Sequence, residues 1–558
     1  MKSGSTPIMI LAKEVMKPAN SRSLSRRALL GHGAWAAAVL ATCHDWVRGA
    51  EPEESVRCRL VEPLARGGNC CLAWLNPEHG FIPTGGYEMA HDSGRWWDAM
   101  LRLEAATGFS IPEKLERAML GNLRRMTGNP DGLLINDGSL DDIPGGRPII
   151  NPHNFREGMG AFTALVIFRN SDWACRAGRR LLETLDRIFQ ADGRLDYERL
   201  ECWGKIPLST DPSHAQPAGT AWFDGTATSG RALESVLRFY QATNDPLAME
   251  VAERIARHHL AKTVNLDGSV REEIIDPSNV GHNHSYLGTL RGLLLYGLWT
   301  QERKYVDAVT ATYEKTLWEH NVSESGWSPH DLGKTRFPNP QGEPVGEHAS
   351  CADVVQLALW LALKEGRTEF LDDTERLIRA RLLPSQITDH SDSRRYGAWG
   401  AYSHPFGQGS IIDVIAHVVH ALADVQEHIV TCSTNGAVSV NLHFDAETPL
   451  VSVSATRGKT GRLQVVAKQS RHLRLRVPGW APRDTLRLWV AGKRLPPDFE
   501  GDYLTISAGD LPAGANVELE YDLPGRETVE VMPVTRREFR LTWRGDQVMS
   551  CDPKVPIY

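Results

Sequence analysis

Long hydrophobic runs, an excess of basic residues and paired cysteines are all scarce in this 558-residue chain. The longest apolar stretch, within residues 28–41, falls short of the roughly 20 residues that span a bilayer. Lys and Arg number 62 against 69 Asp and Glu, a net charge of −7, so no basic footprint for nucleic acid exists. The nine cysteines (Cys43, Cys58, Cys70, Cys71, Cys175, Cys202, Cys351, Cys432 and Cys551) form no CxxC pair and no zinc-finger spacing. Adjacent Cys70 and Cys71 cannot readily bridge each other, so no disulfide framework is declared. P-loop, GxGxxG and nucleophile-elbow patterns are missing in any suitable context.

What is present is the composition of a globular protein too long for one ordinary core, 41% hydrophobic with a mean hydropathy of −0.32. Its 16 Trp are many for the length, and indoles in a cleft stack on apolar ligand faces. At the N-terminus, Ser25-Arg26-Arg27-Ala28-Leu29-Leu30 opens the short apolar stretch and resembles a twin-arginine export signal, with removal expected near Ala50. Residues 1–50 therefore read as a signal, and the mature chain as periplasmic or secreted with no stable membrane span.

From about Ser93 to Val430 the pattern is helical and paired. Apolar, glycine-containing helices are expected to begin near 93, 157, 225, 282, 349 and 407. Amphipathic ones lie between them, at Pro112–Thr127, Asp172–Gln190, Asp245–Val264, Lys304–Asn321 and Glu369–Gln386. Hairpins repeating about every 60 residues fit an (α/α)6 toroid over residues 51–430, apolar helices inside and amphipathic helices outside. Eleven helices are legible, which leaves a twelfth for the stretch before His91. After Val430 the period becomes two, in Ala437–Leu442, Leu463–Val466, Leu473–Val477, Thr485–Val490, Tyr503–Ser507 and Val517–Tyr521, which reads as an antiparallel β-sandwich over 431–558. By alternation Arg474 and Arg476 should face solvent. His258 and His259 should lie on an outer surface, and His417 with His420, at i, i+3, could ligate a metal but are expected to pack or face water.

In such a toroid the loops entering the inner helices surround one cavity. Here they carry His91 and Asp92; His153, Asn154 and Glu157; Trp222 and Asp224; His282, His284 and Tyr286; Trp327, His330, Asp331, Glu347, His348 and Cys351; then Tyr402 and His404. A single such loop would be ordinary capping, but six in register suit a sugar, with rings for stacking and carboxylates for acid–base work. The expected partner is an oligo- or polysaccharide. Glu347, Asp331 and Cys351 are the candidate catalytic residues, and the remaining loop residues other than Glu157 and His330 are expected to bind substrate.

The segment His472-Leu-Arg-Leu-Arg-Val-Pro-Gly-Trp480-Ala resembles the LRLRIPGWA stretch of the β-L-arabinofuranosidase family, glycoside hydrolase family 127. Gly326-Trp-Ser-Pro329, Gly346-Glu347 followed by Cys351-Ala352-Asp353, and Val438-Ser-Val-Asn441-Leu442 are similar too, so the likeness spans about residues 60 to 545. It implies a retaining glycosidase acting on terminal sugars, with a Cys thiolate beside zinc, held by a Glu-x-Cys pair and a later Cys-Cys pair, and a Glu acid/base. This chain departs from that pattern. Ala349 fills the first Cys position, Cys351 comes two residues late, and the Cys-Cys region is Tyr402-Ser403-His404-Pro405. The upstream acid loop holds His330, Asp331 and Lys334, with Glu343 nearer. With its soft ligands missing, the site is expected to work without a metal, Cys351 being a neutral buried thiol. The alternative is a rearranged zinc site drawn from Glu347, Cys351 and His404. Two other readings fit the loops: a glycan-binding protein without catalysis, and a six-hairpin uronyl hydrolase or lyase.

Overall fold

The computed structural model describes residues 55–83, 89–136, 138, 147–209, 229–335, 338–339, 342–403 and 412–558. The expected signal therefore lies outside the described residues, as do Trp222, Asp224, His404 and the side chain of Tyr402.

Among the described residues twelve main helices alternate between two rings. The inner six are α2 (Met89–Thr107), α4 (His153–Arg169), α6 (Ala232–Thr243), α8 (Asn283–Thr300), α10 (His348–Glu365) and α12 (Ile412–His428). Each packs on the next, and α12 returns to α2, closing the ring. The outer helices are α1 (Val61–Ala73), α3 (Glu113–Met126), α5 (Asp172–Ile188), α7 (Pro246–Lys262), α9 (Arg303–Lys315) and α11 (Leu371–Leu377). Helix α11 runs on through a π-helical turn, Ile378–Leu382, to Leu383–Ser385. The expected twelfth helix is α1, which covers α12.

Local chemistry explains the hairpins. The inner helices α4 and α6 stop at Asn170 and Asn244, and α10 at Gly366, all in the left-handed conformation. Ser171 and Asp245 then cap the next helices at once, accepting from the Ala174 and Leu247 N–H groups. Inner-to-outer turns are consequently tight, whereas the outer-to-inner connections are long and free to carry polar groups. Helix α2 crosses α4 closely because Gly94 lies against the Glu157 backbone, where a Cβ would come within 2.2 Å. His258 and His259 prove buried rather than superficial: α7 turns them inward, where His259 meets Ser229 and Thr263.

The C-terminal strands form a seven-stranded sheet, a five-stranded sheet and a three-stranded sheet. Apolar residues from the first two share one core. Most pairings are antiparallel, but Leu473–Leu475 runs parallel to Val438–Val440, so the sandwich is mixed. Strand Val451–Arg457, whose residues alternate strictly between buried and half-buried, joins those read from the sequence, and Val56–Arg57 pairs with it from the far end of the chain. Residues Gly525–Val531, Glu538–Arg544 and Gln547–Asp552 build the third sheet.

Arg476 is not solvated. It is 1% exposed, held by Glu375 at 2.7 Å and by Asp372, because the strand face that alternation assigned to water is covered by α11. Arg474 is half-buried, over the Tyr503 ring and 3.4 Å from Glu500. Trp96, Trp97, Trp399 and Trp543 are fully buried, so much of the Trp content fills core. No helix among the described residues is long and apolar enough to cross a membrane.

Candidate active site

Three loop segments converge beside α10. Residues 328–331 lie between 281–283 and 345–347, joined by the bridges His282–Asp331 and Pro329–Gly346. Main-chain bonds fasten them: Asn283 N donates to His330 O (3.0 Å), His330 N to Val345 O (2.8 Å) and Glu347 N to Ser328 O (2.9 Å). Glu347 also pairs across to Ala401 and stands at the N-cap of α10. His282, His330, Asp331 and Glu347 are thereby brought together. His282 Nε2 lies 3.6 Å from Glu347 Oε2, and the two imidazole rings are 4.8 Å apart. Ser285 Oγ holds His282 Nδ1 at 2.8 Å, and Asp331 holds His330 Nδ1 at 2.9 Å.

Next to this cluster the N-terminal halves of the inner helices enclose a cavity lined by Arg95, Asp98, Arg156, Glu157, Arg231, Glu234, Arg291, His417 and His420, with Gly94, Gly160 and Ser235. Arg95 donates to Glu157 through its main-chain N–H (2.8 Å) and Nε (3.1 Å), and Arg156 pairs with the same carboxylate. Asp98 is held by Arg238 (2.6 Å) and faces His420 (3.2 Å). His284 and His417 both address Asp353, at 2.5 and 2.9 Å. Burial pushes the Asp353 carboxyl up to about 7 despite Arg291 and Arg231, and burial with the nearby guanidinium groups drives His284 and His417 well below the usual imidazole range. His417 and His420 thus face the cavity and not water.

His91, Asp92 and His153 stay together near this mouth: His91 Nδ1 is 3.3 Å from Asp92, and its ring meets His153 edge-on at 3.9 Å. Other expected residues do not line it. Asn154 is locked into the start of α4, accepting from Asn151 N (2.7 Å) and donating to Leu134 O (2.8 Å). Tyr286 is fully buried with its hydroxyl beside Thr312 of α9. Trp327 belongs to a small core with Met532, Phe539 and Leu541, since the third sheet covers it. His348 is pinned to Gly400 O at 2.6 Å, and burial and Arg381 push it down to about 3. Glu343 accepts from Val534 N at 3.1 Å and braces that sheet.

Cys351 is fully buried, near Gly326 and Arg381 of α11, and burial raises its thiol to about 12. It belongs to no metal-capable group among the described residues, and His404, its expected partner in a zinc site, lies outside them. A nitrogen and oxygen set fits better. His282, His330 and Glu347 offer donor atoms within 4.8 Å of one another, and with both Nδ1 atoms engaged the Nε2 atoms are the natural ligands.

Sequence reading passed over Arg95, Arg231, Glu234, Arg291 and Asp353. Their signal was available: each is a charge in or at the start of a helix whose other residues are largely apolar, and such a charge must face a polar interior.

No family model and no curated protein matches the chain. Solved structures do, at the level of fold. A β-arabinofuranosidase of glycoside hydrolase family 127 superposes with TM-score 0.57 and 14% identity, covering 88% of this chain and 81% of that one. Ara127N-Se, a family 127 β-L-arabinofuranosidase from Geobacillus stearothermophilus T6, gives 0.53 and 13%, covering 92% and 82%. A further glycoside hydrolase gives 0.58 and 13%, over 89% and 81%. This chain has the fold of those enzymes, a helical toroid followed by β-sheets.

Proposed function

We propose that this chain is a glycoside hydrolase-like protein of the β-L-arabinofuranosidase type, a divergent member of family 127 that removes terminal sugars from a glycan. The observation that carries this reading is the convergence of Glu347, Asp331, His282 and His330 beside a polar cavity. Glycoside hydrolysis needs one group to protonate the leaving oxygen and another to meet the developing positive charge. Glu347 and Asp331 divide those roles here, each oriented by an imidazole. Cys351 takes no part, so the family's thiolate step is not transferred. The reaction needs no metal; a zinc ion would be held by His282, His330 and Glu347, and when bound it supplies Lewis-acid polarisation. We further propose that residues 1–50 are a twin-arginine signal, that 51–430 and 431–558 are the two mature domains, and that the protein works in the periplasm or outside the cell.

The test is release of aglycone from a panel of aryl glycosides that includes a β-L-arabinofuranoside. Glu347→Gln is expected to lower kcat by about 100-fold or more, the lower end of general acid–base effects. No turnover of any glycoside would overturn the catalytic reading. Saturable sugar binding by calorimetry without turnover would establish the second reading, a glycan-binding protein, which the displacement of Cys351 from the cluster favours.

A further inference from the structure

Four guanidinium groups and three carboxylates line the cavity. The carboxylates are already engaged. Glu157 holds Arg95 and Arg156, Glu234 holds Arg291 at 2.8 Å, and Asp98 holds Arg238. Asp353, just behind the lining, is taken by Arg291 at 3.3 Å and by the two imidazoles.

Arg231 is the exception. It is 8% exposed, and no carboxylate among the described residues lies within ion-pair distance of it; its hydrogen-bond partner is His284 Nε2. A guanidinium only donates, so Nε2 must accept, which leaves the His284 proton on Nδ1 and directs it to Asp353. Arg231 is therefore met by a neutral ring. A buried cation without a carboxylate in contact is stabilised by an anion that a ligand brings. Burial and Arg95, with Arg291, lower the Arg231 guanidinium to about 9 against the opposing pull of Asp353 and Glu347, neither of which is in contact with it. Gly288, whose added Cβ would come within 3.0 Å of the Arg231 stem, leaves the room that places it there.

We infer that the cavity receives a sugar bearing a carboxylate, a uronate, with Arg231 as its counter-charge and Arg95 and Arg291 beside it. This rests on reading the cavity as a sugar site, and it puts an acidic sugar there in place of neutral arabinofuranose. A planar carboxylate matches the guanidinium fork and would bring Arg231 the contact charge that no described residue supplies.

Calorimetry with D-glucuronate and D-galacturonate, their methyl esters, glucose, L-arabinose, glucose 6-sulfate and inorganic sulfate tests it. A uronate should bind at least about tenfold more tightly than its ester, the range of a charge-assisted hydrogen bond. Arg231→Gln, checked for native circular dichroism, should erase that ratio by weakening the uronate at least about tenfold more than the ester. The acid-against-ester comparison on the unmodified protein needs no variant. Equal binding of acid and ester, or equal weakening of both by Arg231→Gln, would overturn the inference while leaving the sugar site standing. Tighter binding of glucose 6-sulfate or inorganic sulfate would overturn the carboxylate assignment. Binding of none of these compounds would overturn the inference and the sugar site together.

Discussion

Two buried charge networks in this protein use the same residue types to different ends. At the junction of α11 with the C-terminal sheets, Arg476 meets Glu375 and Asp372, Arg379 meets Glu375 and Asp546, and Arg457 meets Asp546 at 2.7 Å. His443 N adds a bond to Glu375, and Gly479 N one to Asp372. Each of these three arginines has a carboxylate, and although burial pushes Glu375 up, Arg476 and Arg379 hold it down at about 2. In the cavity the matching is incomplete, because Arg231 is met by an imidazole. A closed network fastens two layers, whereas an open one is shaped for an added charge.

Arg476→Ala should break the closed network most severely. It leaves Glu375 buried beside fewer cations, and equilibrium unfolding should show a loss of about 3–5 kcal/mol, the cost of orphaning a buried charge. Turnover per folded molecule should be unchanged, because the cavity is elsewhere.

The pH dependence of stability separates the two networks by window. His284 and His417 have depressed folded pKa values, so their contribution is present above the unfolded value of about 6.5 and is lost as pH falls. Asp353, raised to about 7, acts oppositely, favouring the fold at low pH and losing that contribution as pH rises toward 7. Glu375 contributes above its unfolded value and loses this as pH falls from about 4.5 toward 2. Between pH 5 and 6.5, His417→Gln should therefore flatten the slope of unfolding free energy by about 1 kcal/mol per pH unit, while Glu375→Gln should leave that window alone.

Cys351 shares α10 with the cavity side but packs toward α11. Cys351→Ser should lower stability by about 1 kcal/mol through a buried hydroxyl, without changing turnover or metal content by elemental analysis. Loss of stoichiometric zinc together with activity would restore a thiolate role. The smallest effect is expected at Arg231. Because it has no carboxylate to orphan, Arg231→Gln should shift unfolding by less than about 1 kcal/mol, and a loss as large as that of Arg476→Ala would erase the distinction between the networks.

The sequence by itself determined the features that local periodicity encodes. Apolar helices such as α8 and α10 and amphipathic ones such as α5 announce inner and outer rings, and strict alternation announces strands such as Thr460–Ala467. It also marked the entry loops, since His282, Asp331 and Glu347 stand out at their helix starts. Tertiary structure alone decided which of these meet. The cluster exists because residues 328–331 bridge two other segments, and no local pattern encodes that pairing. Trp327, Tyr286 and Cys351 carry the same polar or aromatic signal yet turn into cores, because the direction of a side chain from its helix or loop depends on what covers it. Arg476 shows the same limit in a strand: alternation gives two faces, and only the packing of α11 made the outer one interior at Arg476.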